Sequence, residues 1–224
     1  MFNIIAPTYD TINKYMTLNS DKSWRKKVSN IVYKKNVKSI LDVATGTGDI
    51  AFEMAKDNVK IIAIDNANEM LEIAKEKSKD FNTDSIIDFQ LDDAENLTFS
   101  DNSFDAVTVG FGVRNFEDLK KGLSEMYRVL KPGGQIVILE TAVPQTIISK
   151  IGYFLHTNLL IPFLGLVIAK NSNAYKYLSK SAKNFPHGER FKEILNETGF
   201  CDVAIESETF GVVNIYSANK LINN

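Results

Sequence analysis

A glycine-rich turn between two carboxylates is the part of the sequence whose residue types most clearly suggest chemistry. Within LDVATGTGDIA, the six residues from Gly46 to Ala51 satisfy the G-x-G-x-x-G/A pattern of nucleotide-binding turns, with acids at Asp42 and Asp49. A pyrophosphate held between these acids would meet like charge, at a cost on the order of several kcal/mol in a partly dry cleft. We therefore expect a nucleoside without phosphates, the alternative being a plain strand-to-helix turn.

Further acidic positions extend this candidate nucleoside site. Asp65 ends the next apolar run, where a carboxylate can accept hydrogen bonds from both ribose hydroxyls. Asp93 and Ala94, within LDDAENL, can place a carboxylate and a backbone N–H against the amino edge of adenine. A surface aspartate and a solvated acidic loop are the simpler interpretations of each feature alone. Together the positions favour S-adenosylmethionine, which carries an adenosine, a sulfonium cation and an ammonium group but no phosphate.

Composition excludes several other classes of function. The chain has 224 residues and a formal net charge of −2, and it lacks the basic stripe that nucleic-acid binding requires. One cysteine, Cys201, and two histidines, His156 and His187, give neither a disulfide framework nor zinc-ligand spacing. The N-terminus MFNIIAPTYD does not resemble a signal peptide. We expect a single domain over 1–224, no nucleic-acid partner, no metal and a cytoplasmic location.

Short apolar runs that alternate with helical patterns must position these residues. The alternation predicts a doubly wound α/β sheet of about seven strands, covered on both faces. Five predicted strands span 38–43, 59–64, 86–90, 104–110 and 134–141. Predicted helices span 49–56, 67–78, 117–130 and 188–198. Runs 201–209 and 212–218 lie too close together for a crossover helix, so the last strand should be antiparallel. LKPGG, residues 130–134, is expected to end a helix and turn the chain into the next strand.

Motifs outside the glycine turn give the sequence a specific likeness. APTYDTIN, GFGVRNFEDLKKGLSEMYRVLKPGG, NSNAYKYLSKS and TFGVVNIY closely resemble the ubiquinone and menaquinone biosynthesis C-methyltransferases, a family with a Rossmann-like class I methyltransferase fold. The resemblance implies methyl transfer from S-adenosylmethionine to a ring carbon of a prenylated quinol. The sequence is nearer the menaquinone branch, in which demethylmenaquinol becomes menaquinol, than the ubiquinone branch.

The resemblance also implies that Thr47, Asp65, Asp93 and Ala94 contact the cofactor, in agreement with the interpretation of the residues themselves. Many members of the family carry a polar residue at the position of Gly110, so a side-chain contact is lost there. The full predicted cofactor site is Asp42, Gly46, Thr47, Gly48, Asp65, Asp93, Ala94 and Gly110.

Arg114 and Asn115, in the VRNF motif, are the predicted catalytic pair. A quinol carbon becomes nucleophilic when the neighbouring hydroxyl loses its proton, and an unperturbed phenol titrates near about 10. Because a guanidinium stays protonated, Arg114 is expected to stabilise the phenolate while Asn115 or a water orients the hydroxyl. The alternative is that Arg114 forms a salt bridge with Glu117 or Asp118 at the start of the next helix.

The N-terminal segment 1–36 is expected to fold over the site as a lid, as the family pattern implies. Tyr9 is a candidate to bind the quinol or close over the cofactor, and an aromatic anchor for the lid is an equal alternative. Asp10 is the second candidate for the base. A lid would exclude water and align the methyl donor with the ring carbon.

Residues 144–185 form a predicted apolar helical insertion. Its run 151–169 contains no Asp, Glu, Lys or Arg, but His156, Thr157, Asn158 and Pro162 interrupt it, which argues against a transmembrane helix. The insertion would form the wall for an isoprenoid tail or enter the membrane interface, and ordinary core helices are the alternative. Peripheral contact with the inner face of the cell membrane is a hypothesis, and a homodimer is left open.

Two other functions remain open at this stage. The chain could methylate another lipid or a phenolic oxygen, which would require no change in the cofactor site. It could also be a module that binds NAD without catalysis, which the glycine pattern formally allows and the flanking acids disfavour.

Overall fold

A mixed sheet of seven strands forms the centre of the fold. The computed structural model describes residues 2–144, 181–182 and 184–222. The strands are β1 (Ser39–Val43), β2 (Lys60–Asp65), β3 (Ile87–Leu91), β4 (Phe104–Gly110), β5 (Leu130–Thr141), β6 (Cys201–Glu208) and β7 (Val213–Asn219). Their spatial order is β3-β2-β1-β4-β5-β7-β6. The first five strands are parallel, and β7 is antiparallel to β5 and β6. This confirms the predicted doubly wound sheet with an antiparallel last strand.

Helices follow most of the parallel strands. They are α1 (Phe2–Thr17), α2 (Ser20–Val32), α3 (Asp49–Met54), α4 (Asn68–Asp80), α5 (Leu119–Val129) and α6 (Glu189–Glu197), with a 3₁₀ turn at Val113–Asn115. The predicted elements agree with these to within a few residues at most ends, because the change from apolar runs to helical spacing marks each boundary.

The sequence prediction for LKPGG was wrong. Helix α5 ends at Val129, and Leu130 already belongs to β5, where it pairs with Phe104. The register then shifts before Ala106 pairs with Gln135. Such an irregularity accommodates proline and glycine within a strand, so these residues kink β5 rather than precede it.

Alternating side chains bury the sheet on both faces. On one face, Ile138 of β5 belongs to the same buried cluster as Leu123 of α5. On the other face, Val137 packs in a cluster with Val28 of α2. Successive residues of a strand point to opposite faces, and this alternation continues to Glu140 near the end of β5.

Helix α1 is attached to the sheet through α4 rather than through β1. Ile5, Ala6 and Ile12 of α1 form a small buried cluster with Ala67 and Met70. Since α4 follows β2, this packing holds the N-terminal helix near the carboxyl edge of the parallel strands.

The predicted insertion 144–185 falls almost entirely outside the described residues, and so does its apolar run 151–169. In the parts of the chain that the structure does describe, no helix has both the length and the apolar character needed to cross a membrane.

Candidate functional site

The glycine turn lies at the carboxyl edge of the sheet, between β1 and α3. Gly46 and Gly48 have φ of +57° and +87°, values that side chains rarely adopt. A Cβ on Gly48 would lie 2.9 Å from the ring of Phe52. The Thr45 N–H donates to the Ile64 carbonyl at 2.9 Å, which ties the turn to the end of β2. The glycines therefore permit both the backbone path and the close packing beneath it.

Asp65 ends β2 and organises the turn. Its Oδ2 accepts the N–H of Gly46 at 2.8 Å, and its Oδ1 accepts the N–H of Ala67 at 2.9 Å. Burial raises the pKa of Asp65, and these backbone hydrogen bonds partly offset that effect. The carboxylate thus fixes the strand end where the sequence predicted a contact with ribose.

Asp42 is a buried carboxyl directly beneath the turn. Thr45 Oγ1 and Thr108 Oγ1 donate to its two oxygens, each at 2.6 Å. Burial raises the pKa of Asp42 to about 6, although the two hydroxyl donors oppose the shift. Above that pH the site holds a buried negative charge, which favours a cationic ligand group.

Asp49 does not contribute the repulsion that the sequence interpretation gave it. Its two oxygens accept Arg25 at 2.9 Å and Lys77 at 2.6 Å, so its charge is compensated. Neither cation could be assigned to this role from the sequence, because both lie far from Asp49 along the chain. Of the two acids invoked against a pyrophosphate, Asp42 is the one without a cationic partner in the described residues.

Two adjoining cavities contain most of the predicted cofactor residues. One, of about 240 Å³, is lined by Asp65, Asp93 and Ala94 together with Asn115. The other, of about 60 Å³, lies under α1 and shares Ala44 with the first. Its lining includes Asp42, Gly46, Thr47, Gly110 and Tyr9. Gly48 lines neither cavity and acts through the path of the turn.

The N-terminal helix contacts the glycine turn through Tyr9 and Asp10. A methyl group on Gly46 would lie 4.0 Å from Tyr9 Cε1, so the Tyr9 ring covers the turn. Burial raises the pKa of Tyr9, and a hydrogen bond with Asn13 partly offsets this. Asp10 accepts the Thr47 hydroxyl at 2.6 Å and the Lys77 ammonium at 2.9 Å. Both carboxylate oxygens of Asp10 are therefore engaged within the protein.

Arg114 pairs with an acid that sequence reasoning missed. Its Nη1 donates to Oε1 of Glu140, and neither Glu117 nor Asp118 forms the salt bridge that was the alternative interpretation of Arg114. Asp118 instead accepts the Lys121 N–H and caps α5. A lone glutamate in the apolar strand QIVILET was the signal that could have identified Glu140.

The Arg114–Glu140 pair is almost inaccessible to solvent. The side chains of Arg114 and Glu140 are 8% and 0% exposed. Asn115 Nδ2 donates to the Phe111 carbonyl at 3.3 Å. The structure thus places Arg114 and Asn115 just beyond β4, and Asn115 lines the larger cavity.

Comparison with known proteins provides a family match, curated relatives and solved structures of similar fold. The model of the ubiE/COQ5 methyltransferase family matches residues 1–220. A demethylmenaquinone methyltransferase of Bacteroides fragilis is 42% identical, over 98% of this chain and 91% of its own length. The ubiquinone/menaquinone biosynthesis C-methyltransferase UbiE of Geotalea daltonii is 41% identical, over 98% of this chain and 94% of its own length. A similar fold is found in phosphoethanolamine N-methyltransferase 2 of Haemonchus contortus, whose structure was solved in complex with S-adenosyl-L-methionine. The match has a TM-score of 0.62 and 19% sequence identity, and it covers 86% of this chain and 52% of that chain.

Proposed function

Because this chain belongs to the ubiE/COQ5 methyltransferase family, we propose that it methylates a ring carbon of a prenylated quinol with S-adenosylmethionine. The favoured reaction converts demethylmenaquinol into menaquinol, the last step of menaquinone biosynthesis. The observation that carries this choice is the likeness, over 98% of the chain, to the demethylmenaquinone methyltransferase of Bacteroides fragilis. A benzoquinol of the ubiquinone branch is the second candidate, since relatives named for both branches are similarly close.

The residues at the carboxyl edge fit S-adenosylmethionine. Asp65, Asp93 and Ala94 line the larger cavity and would hold the adenosine, while Asp42 in the smaller cavity would attract the cationic amino-acid end. Gly110 also lines the smaller cavity, and the side chain of Ile50 packs so closely against it that a Cβ on Gly110 would lie 2.2 Å from Ile50 Cδ1. When bound, the cofactor supplies the sulfonium methyl group.

Arg114 and Asn115 would act on the quinol. The ring hydroxyl must lose a proton before the ring carbon attacks, and a nearby guanidinium favours the phenolate by donating charge-assisted hydrogen bonds. As the carbon–carbon bond forms, the methyl–sulfur bond would break; the hydrogen on that ring carbon then leaves as a proton, the ring oxygen takes up a proton again, and the ring regains aromaticity. Each turnover therefore releases one proton overall, which the site must pass to solvent.

Helix α1 would close the site. Its contacts with the turn involve Tyr9, and Asp10 is held by Thr47 and Lys77. We expect this arrangement to exclude water and to keep the donor and acceptor aligned, an effect that can account for a large part of a rate. The base role considered for Asp10 is disfavoured by its ion pair with Lys77.

Labelled methyl transfer tests the function directly. Purified protein is incubated with radiolabelled S-adenosylmethionine and reduced demethylmenaquinol, beside the oxidised quinone and a demethylated ubiquinol precursor, and the lipid is then extracted. Label on the naphthoquinol ring is the expected result. Label only on the benzoquinol would move the protein to the ubiquinone branch. Label in neither lipid, despite cofactor binding, would overturn the substrate proposal.

We further propose that the protein works at the inner face of the cell membrane, where a prenylated substrate resides. The support is the hydrophobicity of the substrate together with the apolar sequence of 151–169 in the predicted substrate-binding insertion, 144–185. Flotation with liposomes that contain prenylated quinol, in the presence of cofactor, should carry the protein upward. A homodimer is a separate possibility, which sedimentation at several protein concentrations would detect.

A further inference from the structure

Glu140 is a buried acid to which the proposed reaction assigns no role. It lies one residue before the end of β5, at the carboxyl edge, and its side chain is 0% exposed. Its Oε1 accepts Arg114 Nη1, the Thr141 N–H at 2.6 Å and the Thr141 hydroxyl at 3.1 Å. Three donors on one oxygen fix the carboxylate, and the carboxylate in turn fixes the guanidinium.

Three polar atoms around this ion pair have no hydrogen-bond partner within residues 2–144, 181–182 and 184–222. They are Arg114 Nε, Asn115 Oδ1 and Glu140 Oε2, and all are buried. Folded proteins pair nearly all such atoms, so an unpaired group calls for a specific explanation. Here the three atoms belong to two consecutive residues and to the acid bonded to one of them, which points to a shared polar ligand.

A hydroxyl group can form hydrogen bonds with two of the three atoms in the unpaired set. Arg114 Nε is a donor, whereas Asn115 Oδ1 and Glu140 Oε2 are acceptors. A hydroxyl can accept from the first and donate to one of the others. If the hydroxyl ionises, the bond from Arg114 Nε strengthens, because both partners are then charged. A carbonyl could use only the donor and would leave both acceptors unpaired.

The set also lies beside the predicted site of reaction. Asn115 lines the larger cavity together with Asp65 and Ala94, and the charge of Arg114 acts on Tyr9 over the glycine turn. A buried acid could occupy any position of the apolar strand β5, so the position of Glu140 is informative. It lies at the strand end that adjoins the cavities.

We propose that Glu140 is a positioning residue, which holds Arg114 so that its Nε–H and the Asn115 side chain meet the ring hydroxyl of the substrate. This inference rests on the proposed quinol methylation. A water molecule offers the same hydroxyl chemistry, and the experiments below distinguish the two sources.

Two substitutions at Glu140 separate positioning from folding. Glu140→Gln keeps the size of the side chain but removes the charge, and it should lower kcat by about 100-fold, the scale expected for a misplaced group near the chemistry. The Kd for S-adenosylmethionine should change by less than about threefold, because positioning leaves cofactor binding intact. Glu140→Asp restores the charge and should recover part of the lost rate.

Asp105→Asn is the matched control. Asp105 lies on the adjacent strand β4, at the opposite edge of the sheet, where it pairs with Lys131 at 2.7 Å. This substitution also breaks an ion pair of a strand residue, so it should lower the melting temperature without changing kcat. If Glu140→Gln behaves like this control, with kcat within about threefold of the wild type, the positioning role is wrong.

A double variant tests whether Glu140 acts through Arg114. Arg114→Ala alone should abolish most turnover, and Glu140→Gln in that background should add less than about twofold to the loss. Losses that multiply would overturn the proposal. Wild-type protein that methylates no quinol would overturn the proposed function and this inference with it, whereas an active wild type confines any failure to Glu140.

Binding to a quinol and to its methyl ether, with S-adenosylhomocysteine replacing the methyl donor, identifies the hydroxyl. If the substrate hydroxyl occupies the set, Glu140→Gln should weaken quinol binding by about 10-fold and leave ether binding unchanged. Equal losses for both compounds would assign the set to water and overturn the substrate contact.

Discussion

Asp42→Asn is predicted to stabilise the protein at neutral pH while weakening the cofactor site. Asp42 is buried with two hydroxyl donors, and burial raises its pKa from 3.8 to about 6. At pH 7.5 the folded protein must therefore keep a charge that is more costly in the fold than in the unfolded chain. Asparagine preserves the shape of the side chain and removes that charge.

The magnitude follows from the linkage between protonation and folding. The pKa of Asp42 is higher in the folded protein than in the unfolded chain. The contribution of Asp42 to stability is therefore present in full below pH 3.8. It falls as the pH rises through about 6, because the unfolded chain releases its proton first. At about 1.4 kcal/mol per pH unit, the loss approaches about 3 kcal/mol above pH 6. In the variant, one threonine hydroxyl must accept a hydrogen bond from the asparagine amide instead of donating one, which costs about 1 kcal/mol. The net gain in the free energy of unfolding is therefore about 2 kcal/mol.

Thermal unfolding of both proteins between pH 4 and 7.5 measures this difference. At pH 7.5 the variant should melt about 4–8 °C higher, and the gap should shrink towards zero as the pH falls to 4. Calorimetry at pH 7.5 should show weaker binding of S-adenosylmethionine to the variant. A variant that is less stable at pH 7.5, or a gap that does not change with pH, would refute the reasoning.

Asp105→Asn provides a control of opposite sign. Burial alone would raise the pKa of Asp105, but hydrogen bonds from Lys131, Lys38 and Ser39 outweigh it and lower the pKa to about 2. Because the pKa of Asp105 is lower in the folded protein than in the unfolded chain, ionised Asp105 stabilises the fold at pH values above the pKa of the unfolded chain. This stabilisation is lost as the pH falls towards 2. The control should therefore be destabilised at pH 7.5.

Three further predictions concern the turn and the N-terminal helix. Asp65→Asn places an amide donor against the N–H group of Gly46 or Ala67. Calorimetry should therefore show about 10–100-fold weaker cofactor binding, and an unchanged affinity would contradict this role of Asp65. Gly48→Ala should cost about 2 kcal/mol or more by thermal unfolding, because it combines positive φ with a 2.9 Å approach to Phe52. Gly46→Ala should cost less, because it has positive φ but its nearest contact is Tyr9 Cε1 at 4.0 Å. Lys77→Met removes the ammonium that joins Asp10 to Asp49 and should loosen α1 by about 1 kcal/mol, seen as faster proteolysis of the N-terminal segment. High salt should reproduce that loosening in the wild type but not in the variant.

The local pattern of the sequence was sufficient for the sheet and for the glycine turn. Strand and helix boundaries follow from changes in apolar spacing, and Asp65 could be placed at a strand end because the run KIIAID stops there. The prediction for LKPGG was wrong for a local reason. Proline and glycine usually end a helix or strand, whereas here they lie in the irregular first part of β5.

Charge pairing, by contrast, was decided by the tertiary structure. From the sequence, Asp49 was expected to carry an uncompensated charge, and the alternative to a catalytic Arg114 was a salt bridge with an acid three or four residues away. The fold instead brings Arg25 and Lys77 to Asp49, and Glu140 to Arg114. Parallel strands and their crossover helices join residues that lie far apart in the chain, and their ends meet at one edge of the sheet. Residue types and spacing thus predicted a nucleoside site with acids at this edge. Only the packing of α1, α2 and β5 decided which of these acids are paired with cations and which acid holds Arg114.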